Sequence, residues 1–437
     1  FVPALSCFEE PLDLNLVFSG HGKHLDCPTL RLTNHHGLMI AGEAALSNWD
    51  AGMDMYIYGK LGNLTMTKEG INVLMTNLTG KVPPILQRLD YIRFNGEAAG
   101  YLHDLTLTGL FHTGAGMVKT DVMMSIDEQS MSRTYSGSVA SADLDLGKLL
   151  NQEKKFGKVD FNVELKGFNY KNRYPESYIK GIISSFEYSQ YQYENIMLDG
   201  VYKDGGFNGR LSMDDANGSV QIDGNFNVAK TIPDFNLKAS VKNLRPHDLH
   251  LSDKYENASI SLGLTADFTG KSIDDMNGRI SLDSLQLNAP DEGGCFLDNL
   301  TITAGQVSGE KELRINSSFM TAVIRGDYSY HTIPASVVKT VQRYIPSLLT
   351  IKDNMPEPHN NFQFDICLEN AEVLSKLFQI PLELYLPASL KGYFNDGEEK
   401  LHVEGHFPEF RYNGTRYDSG VLFCENPSDR FKCSLRG

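Results

Sequence analysis

Apolar and polar residues alternate along most of this chain with a period of two, the mark of half-buried β-strands. Leu12, Leu14 and Leu16 alternate with Asp13 and Asn15, and Leu105, Leu107 and Gly109 with Thr106 and Thr108. Val159, Phe161, Val163 and Leu165 alternate with Asp160, Asn162 and Glu164. The same pattern runs through 260–265, 280–283 and 362–368. Turn chemistry separates the runs, as in Asp204-Gly205-Gly206, Asp215-Ala216-Asn217-Gly218 and Asn395-Asp396-Gly397. Glycines such as Gly59, Gly96, Gly137, Gly200, Gly224, Gly392 and Gly405 read as strand ends where the chain bends back. Helical spacing is confined to Lys68–Asn77, Leu146–Gln152, Ala335–Leu349 and Ala371–Phe378. The third is the best formed, with Val338, Val341, Ile345 and Leu348 on one face. Pro334 stands at its first position and Pro346 ends or kinks it.

Roughly 30 strands stacked at about 4.8 Å would extend on the order of 140 Å. An ordinary open sheet of that size curls or splits. The pattern therefore predicts an all-β protein with few short helices. Its form would be an elongated, twisted, mostly antiparallel sheet curled into a taco-like trough with a hydrophobic interior. The helical interruption divides it into a repetitive β-trough over 1–330, a helix-containing stretch packed on the sheet over 331–385, and a continuation over 386–437. One strand face is Leu, Ile, Val, Phe and Met, and the other Ser, Thr, Asn, Asp and Lys. With few helices to cover it, the apolar face must meet a second sheet or line a groove for an apolar ligand. Candidate groove residues are Ile179, Leu198, Val220, Ile222, Phe226, Leu237, Ile260, Leu262, Leu264, Ile280, Leu282, Leu300 and Ile302. Alternation alone does not say which face is concave.

Composition narrows the partners. The 437 residues hold 40 Lys+Arg and 55 Asp+Glu, a net charge of −15. That acidity argues against nucleic acid and against a polybasic membrane anchor. No stretch approaches the roughly 18 apolar residues of a transmembrane helix. The chain opens Phe1-Val2-Pro3 without a signal sequence, so it is expected to be an internal segment of a longer protein, any anchor lying outside it.

Chemical motifs are weak. Gly270-Lys271-Ser272 resembles the end of a phosphate loop, but Thr265 stands where the first glycine belongs. Asp214, Asp215 and Asn217 lack the spacing and the distal acid of a calcium loop. His21, His24, Cys27, His35 and His36 match no standard zinc spacing. Seven Asn-x-Ser/Thr triplets, such as Asn63, Asn299 and Asn413, would suggest glycosylation in a eukaryotic secreted protein, but an Asn-, Ser- and Thr-rich chain also generates them by chance. Cys424 and Cys433 flank a turn and either form a disulfide or remain two unpaired strand cysteines. Tyr178, Phe186, Tyr188, Tyr191, Tyr193 and Tyr202 read as cross-strand aromatic pairs rather than a sugar or lipid site. No catalytic residue, metal or cofactor is expected.

The strand grammar resembles the recurring unit of TamB and AsmA-like proteins. The resemblance is carried by 268–282, by Tyr135–Val139 leading into 144–150 and 157–159, and by 179–181 with 191–200. The closing 401–405 and 412–418 are of the same style. The resemblance implies a Gram-negative envelope protein that crosses the periplasm from an inner-membrane helix. It implies partners of two kinds: phospholipid acyl chains, and an outer-membrane barrel of the TamA or BamA type. The barrel would be reached through regions outside this segment. Two roles follow: a bridge conducting phospholipid between the membranes, or a scaffold that assists outer-membrane proteins at free strand edges. The degenerate aliphatic lining favours the bridge, because deep specific pockets would trap a ligand that must slide. A carbohydrate-active β-helix enzyme would need a compact cluster of Asp, Glu, Lys or Arg on neighbouring coils, which the spacing does not supply.

Overall fold

In a computed structural model the strands within each of two units follow one another mostly as antiparallel neighbours. The structure describes residues 13–79, 81–127, 129–130, 132–169, 176–253, 256–272, 274–290, 293–333, 335–336, 338–339, 360–378, 380–426 and 431–436. Of the expected helix Ala335–Leu349, all but 335–336 and 338–339 falls outside the described residues.

The chain forms two units, Phe1–Ala216 and Asn217–Gly437. The first unit holds β1 (Asp13–His21), β2 (His24–Thr33), β3 (Leu38–Ser47), β4 (Tyr56–Thr67), β5 (Tyr91–Tyr101) and β6 (Asp104–Thr113). It continues through β7 (Gly116–Ile126), β8 (Arg133–Asp145), β9 (Phe156–Asn169), β10 (Glu176–Tyr188), β11 (Tyr191–Lys203) and β12 (Gly206–Asp215). Each pairs with the next in a meander, so these twelve strands span about 50 Å at ~4.8 Å each.

The second unit begins with β13 (Gly218–Asn227), β14 (Asp234–Leu244), β15 (Ser259–Thr269), β16 (Asn277–Asn288), β17 (Cys295–Val307), β18 (Glu310–Ser317) and β19 (Met320–Asp327). Then come β20 (Asn361–Leu368), β21 (Leu382–Leu384), β22 (Ala388–Asn395), β23 (Lys400–Phe407), β24 (Phe410–Tyr412), β25 (Thr415–Tyr417), β26 (Gly420–Glu425) and β27 (Lys432–Arg436). Here β21, β24 and β25 form a separate small sheet, and the remaining strands of this unit form a meander of their own. Cys424 and Cys433 sit opposite each other in the β26–β27 register and are bonded.

Short helices sit in the connections. In α1 (Lys68–Thr79), Thr67 Oγ1 accepts the Gly70 N–H at 3.2 Å, while Ile71 and Met75, one turn apart, face the sheet. It runs two residues past the expected end. α2 (Pro84–Gln87) has proline at its start. α3 (Leu146–Leu150) is shorter than expected: Asp145 caps the Lys148 N–H at 2.8 Å, and left-handed Asn151 stops it. α4 (Glu372–Phe378) buries Val373 against β17 and its neighbours. Among the described residues no helix is long and apolar enough to cross a membrane.

The glycines correct one expectation. Gly96, Gly137, Gly200, Gly224, Gly392 and Gly405 lie inside strands rather than at their ends. The reason is close approach of the neighbouring strand. Gly96 is paired with Gly109, and a Cβ on Gly96 would stand 2.6 Å from the Gly109 Cα. In the second unit a Cβ on Gly392 would collide with the His402 carbonyl oxygen. Paired side-chain carbons ordinarily stand about 4.5–5.5 Å apart. Each sheet therefore closes toward the face that carries these glycines, and that face is concave.

Candidate functional site: the concave apolar face

Register shows what the concave face contains. In the first unit one row crosses from β3 to β12 as Ala44, Gly59, Ala98, Leu107, Val122, Gly137, Leu165, Ile179, Gly200 and Gly209. One residue along each strand, the row on the opposite face reads Glu43, Lys60, Glu97, Thr108, Asp121, Ser138, Glu164, Lys180, Asp199 and Arg210. The second unit repeats the contrast. Gly224, Leu237, Ala266, Ile280, Ile302, Ile315, Ala322, Ile366, Leu390, Gly405, Leu422 and Leu435 form one row across all twelve strands.

All thirteen sequence-derived candidates lie on this concave side. Ile179 pairs with Gly200, and Leu198 with Gly181, in the first unit. In the second, Ile222 faces Ala239, Leu264, Leu282 and Leu300 in succession, and Leu237 leads to Ile280 and Ile302. Val220 pairs with Val241, which pairs with Leu262, and Phe226 pairs with Phe235. Ile260 lies opposite Leu244 and Leu287 across bulges in both neighbouring ladders.

They are not equally free. Ile260, Leu262 and Leu300 pack against the cluster of Leu285, Leu297, Phe319 and α4's Val373, so they belong partly to a covered core. Residues such as Ile222, Leu264, Ile280 and Ile302 are only half-buried and outside the four core clusters. Along β10, Ile179, Gly181 and Ile183 are half-buried while Tyr178, Lys180 and Ile182 are exposed. Half-burial without an overlying element is what neighbouring side chains produce on the inside of a curved sheet.

Cover comes at the strand ends. In the first unit α1, α2 and α3 enclose Ile71, Leu89, Ile92, Ala115, Leu144 and Val159. The Lys148 ammonium ties α3 down, donating to Asp90 at 2.6 Å and to the Gly114 carbonyl at 2.8 Å. In the second unit α4 covers one end. At the other, Tyr328 and Ile333 close over Phe362, Phe394 and Leu401. That second cap is fastened by Asp274, which accepts Ser329 Oγ at 2.9 Å and the Tyr330 N–H at 2.6 Å.

The sequence reading did not extend the lining into β3–β9, although the same alternation marks Leu107, Val122 and Leu165. It also missed Lys311, a cation on the concave face, paired with Gly326. Its ammonium lies 4.3 Å and 4.9 Å from the ring centroids of Tyr328 and Tyr330 and donates to the Tyr328 carbonyl at 3.0 Å. Burial lowers the Lys311 pKa and raises that of Tyr328.

The other motifs have structural employment. Asp275 accepts the Lys271 N–H at 2.9 Å and the Ser272 N–H and hydroxyl at 2.6 Å, so the phosphate-loop look-alike is a closed turn. The hydrogen bond from Ser272 leads in lowering the Asp275 pKa to about 2. Asp215 accepts Tyr191 Oη at 2.6 Å and the Glu194 N–H at 3.1 Å. His24 Nδ1 is 2.8 Å from Ser47 Oγ, and His36 lies 2.9 Å from Glu69. Among the described residues no group of three potential metal ligands gathers. Phe186 with Tyr193, and Tyr188 with Tyr191, are cross-strand pairs, as expected. On the convex face of the second unit Glu312 is held by Arg325 and Arg314, whose hydrogen bonds lower its pKa, Arg325 contributing most.

Compared with protein-family models, curated proteins and solved structures, the chain matches none.

Proposed function

We propose that this chain is a periplasmic segment of a TamB/AsmA-like bridge that conducts phospholipid between inner and outer membrane along its concave face. The observation that carries the reading is the apolar row, unbroken across twelve strands of the second unit, beside a row one residue away that is polar except at Cys367 and Val421. Acyl chains laid on such a face leave water at about 0.8 kcal/mol per buried CH₂, while headgroups stay at the wet margin. No residue performs chemistry in this reading. An inner-membrane anchor and contact with a TamA- or BamA-type barrel would belong to regions outside the segment. The alternative, a scaffold for outer-membrane barrel proteins, would work through strand edges instead of the face.

The test is lipid extraction and mass spectrometry on protein purified without detergent. Leu262 packs under α4, and Ser261 Oγ accepts the Asn243 N–H at 2.9 Å, so neither makes a clean variant. Leu264 and Thr265 are adjacent, on opposite faces and outside those contacts. Stoichiometric phospholipid is expected in the parent chain and in Thr265→Glu, and its loss in Leu264→Glu. A folded, lipid-free parent, or equal lipid in both variants, overturns the conduit.

A further inference from the structure

We propose that the convex face of the second unit carries a binding site for a neutral, hydroxyl-rich ligand, an oligosaccharide. The site is a hollow where β18, β19, β20, β22 and β23 lie side by side. The inference does not rest on what the concave face carries.

The hollow measures about 850 Å³ and is open to solvent. Small-molecule sites run from roughly 300 to 1,000 Å³. Register explains its shape. One row crosses these strands as Arg314, Val323, Asp365, Lys391 and Glu404, and the next as Glu312, Arg325, Gln363, Tyr393 and His402. The short side chains Thr321, Val323 and Cys367 line it low, between the long ones. At ~4.8 Å per strand it extends about 19 Å from β18 to β23, more than a single sugar ring fills.

Its donors are held in place. Glu312 is buried and accepts from Arg325 Nε and from Arg314, Nε at 3.3 Å and Nη2 at 3.0 Å. That carboxylate fixes both guanidinium groups. Among the described residues nothing bonds to the Nη groups of Arg325 or to Nη1 of Arg314, and both side chains are half exposed. Lys391 and His402 meet Glu404 at 3.1 Å and 3.2 Å. Gln363 and Asp365, both exposed, have no hydrogen-bond or ion-pair partner among the described residues. The charges cancel: Arg314, Arg325 and Lys391 stand against Glu312, Asp365 and Glu404. No net field therefore draws a phosphate or a nucleic acid. Fixed donors interleaved with fixed acceptors suit hydroxyl groups, each of which both donates and accepts. Between Gln363 and His402 in its row stands Tyr393, 44% exposed, its ring stacked with His402 at 5.5 Å. Its exposed ring gives the apolar side of a sugar a platform. Polar groups of both kinds beside an exposed ring select an oligosaccharide as the occupant.

Isothermal titration of the full chain with maltohexaose, cellohexaose and chitohexaose tests the site. At least one of the three should bind with a single site per chain. Gln363→Ala and Asp365→Ala remove exposed groups without protein partners, so the circular-dichroism spectrum should stay unchanged while each weakens that sugar at least tenfold. Arg325→Ala is no substitute, because it strips buried Glu312 of a partner. Lys238→Ala, on the same face in β14 and outside the hollow, should bind as the parent does. If one of the two variants fails to fold, the other decides. No binding of any of the three sugars at millimolar concentration overturns the proposal. So does a loss of less than tenfold in either folded variant, and so does an equal loss in Lys238→Ala.

Discussion

The two units share one strand grammar but cover their concave faces differently. In the first, α1–α3 close one end of the strands, and the row through Leu107, Leu165 and Ile179 lies open beyond them. In the second, α4 closes one end and the Tyr328–Ile333 connection the other, so β20 has Phe362 in one cluster and Leu368 against another. Strand alternation builds the face in both. Connections decide how much of it remains available, and an uncovered central band is the property a sliding ligand needs.

The strongest test of that contrast compares a cap with the open band. Phe394, 1% exposed, is expected to cost about 3–5 kcal/mol when changed to Ala, because the cavity cannot collapse. Leu107→Ala, half-buried and uncovered, should cost on the order of 1 kcal/mol. Urea denaturation of both variants measures the difference. Equal costs would mean that the band of the first unit is as closed as the caps of the second. A smaller effect is expected for Asp145→Ala, which removes the cap from the Lys148 N–H of α3. It should cost about 1 kcal/mol, seen as faster hydrogen exchange in α3 with the sheet unchanged. The smallest effect is on pH. Asp275 has its carboxyl lowered from 3.8 to about 2 by its turn, so its contribution is complete above pH 3.8 and lost as pH falls through about 2. Amide exchange at Lys271 and Ser272 across pH 4 to 2 reads it.

The alternation at 159–165 and 260–265 was enough to identify strands and to group Ile260, Leu262 and Leu264. The hairpin turns at Asp204-Gly205 and Asn395-Asp396 were equally legible, because their residues suit tight reversals locally. The helices at Lys68 and Leu146 were legible too, from their spacing, while their caps, Thr67 and Asp145, came from the structure. Mid-strand glycines were not: Gly96 has its meaning only beside Gly109 on the next strand. Nor was the division of the candidates into covered and free, since α4 reaches Leu262 and Leu300 from more than seventy residues away.

By itself, then, the sequence determined the all-β character, the membership of each strand face and the chemical contrast between the faces, because side-chain direction in a strand repeats every two residues. Only the tertiary structure decided which face is concave, which ends are capped, that the half-buried Lys311 lies against two tyrosines and that Cys424 is bonded to Cys433. Those depend on how closely strands and connections distant in the chain approach one another, and no local period encodes that distance.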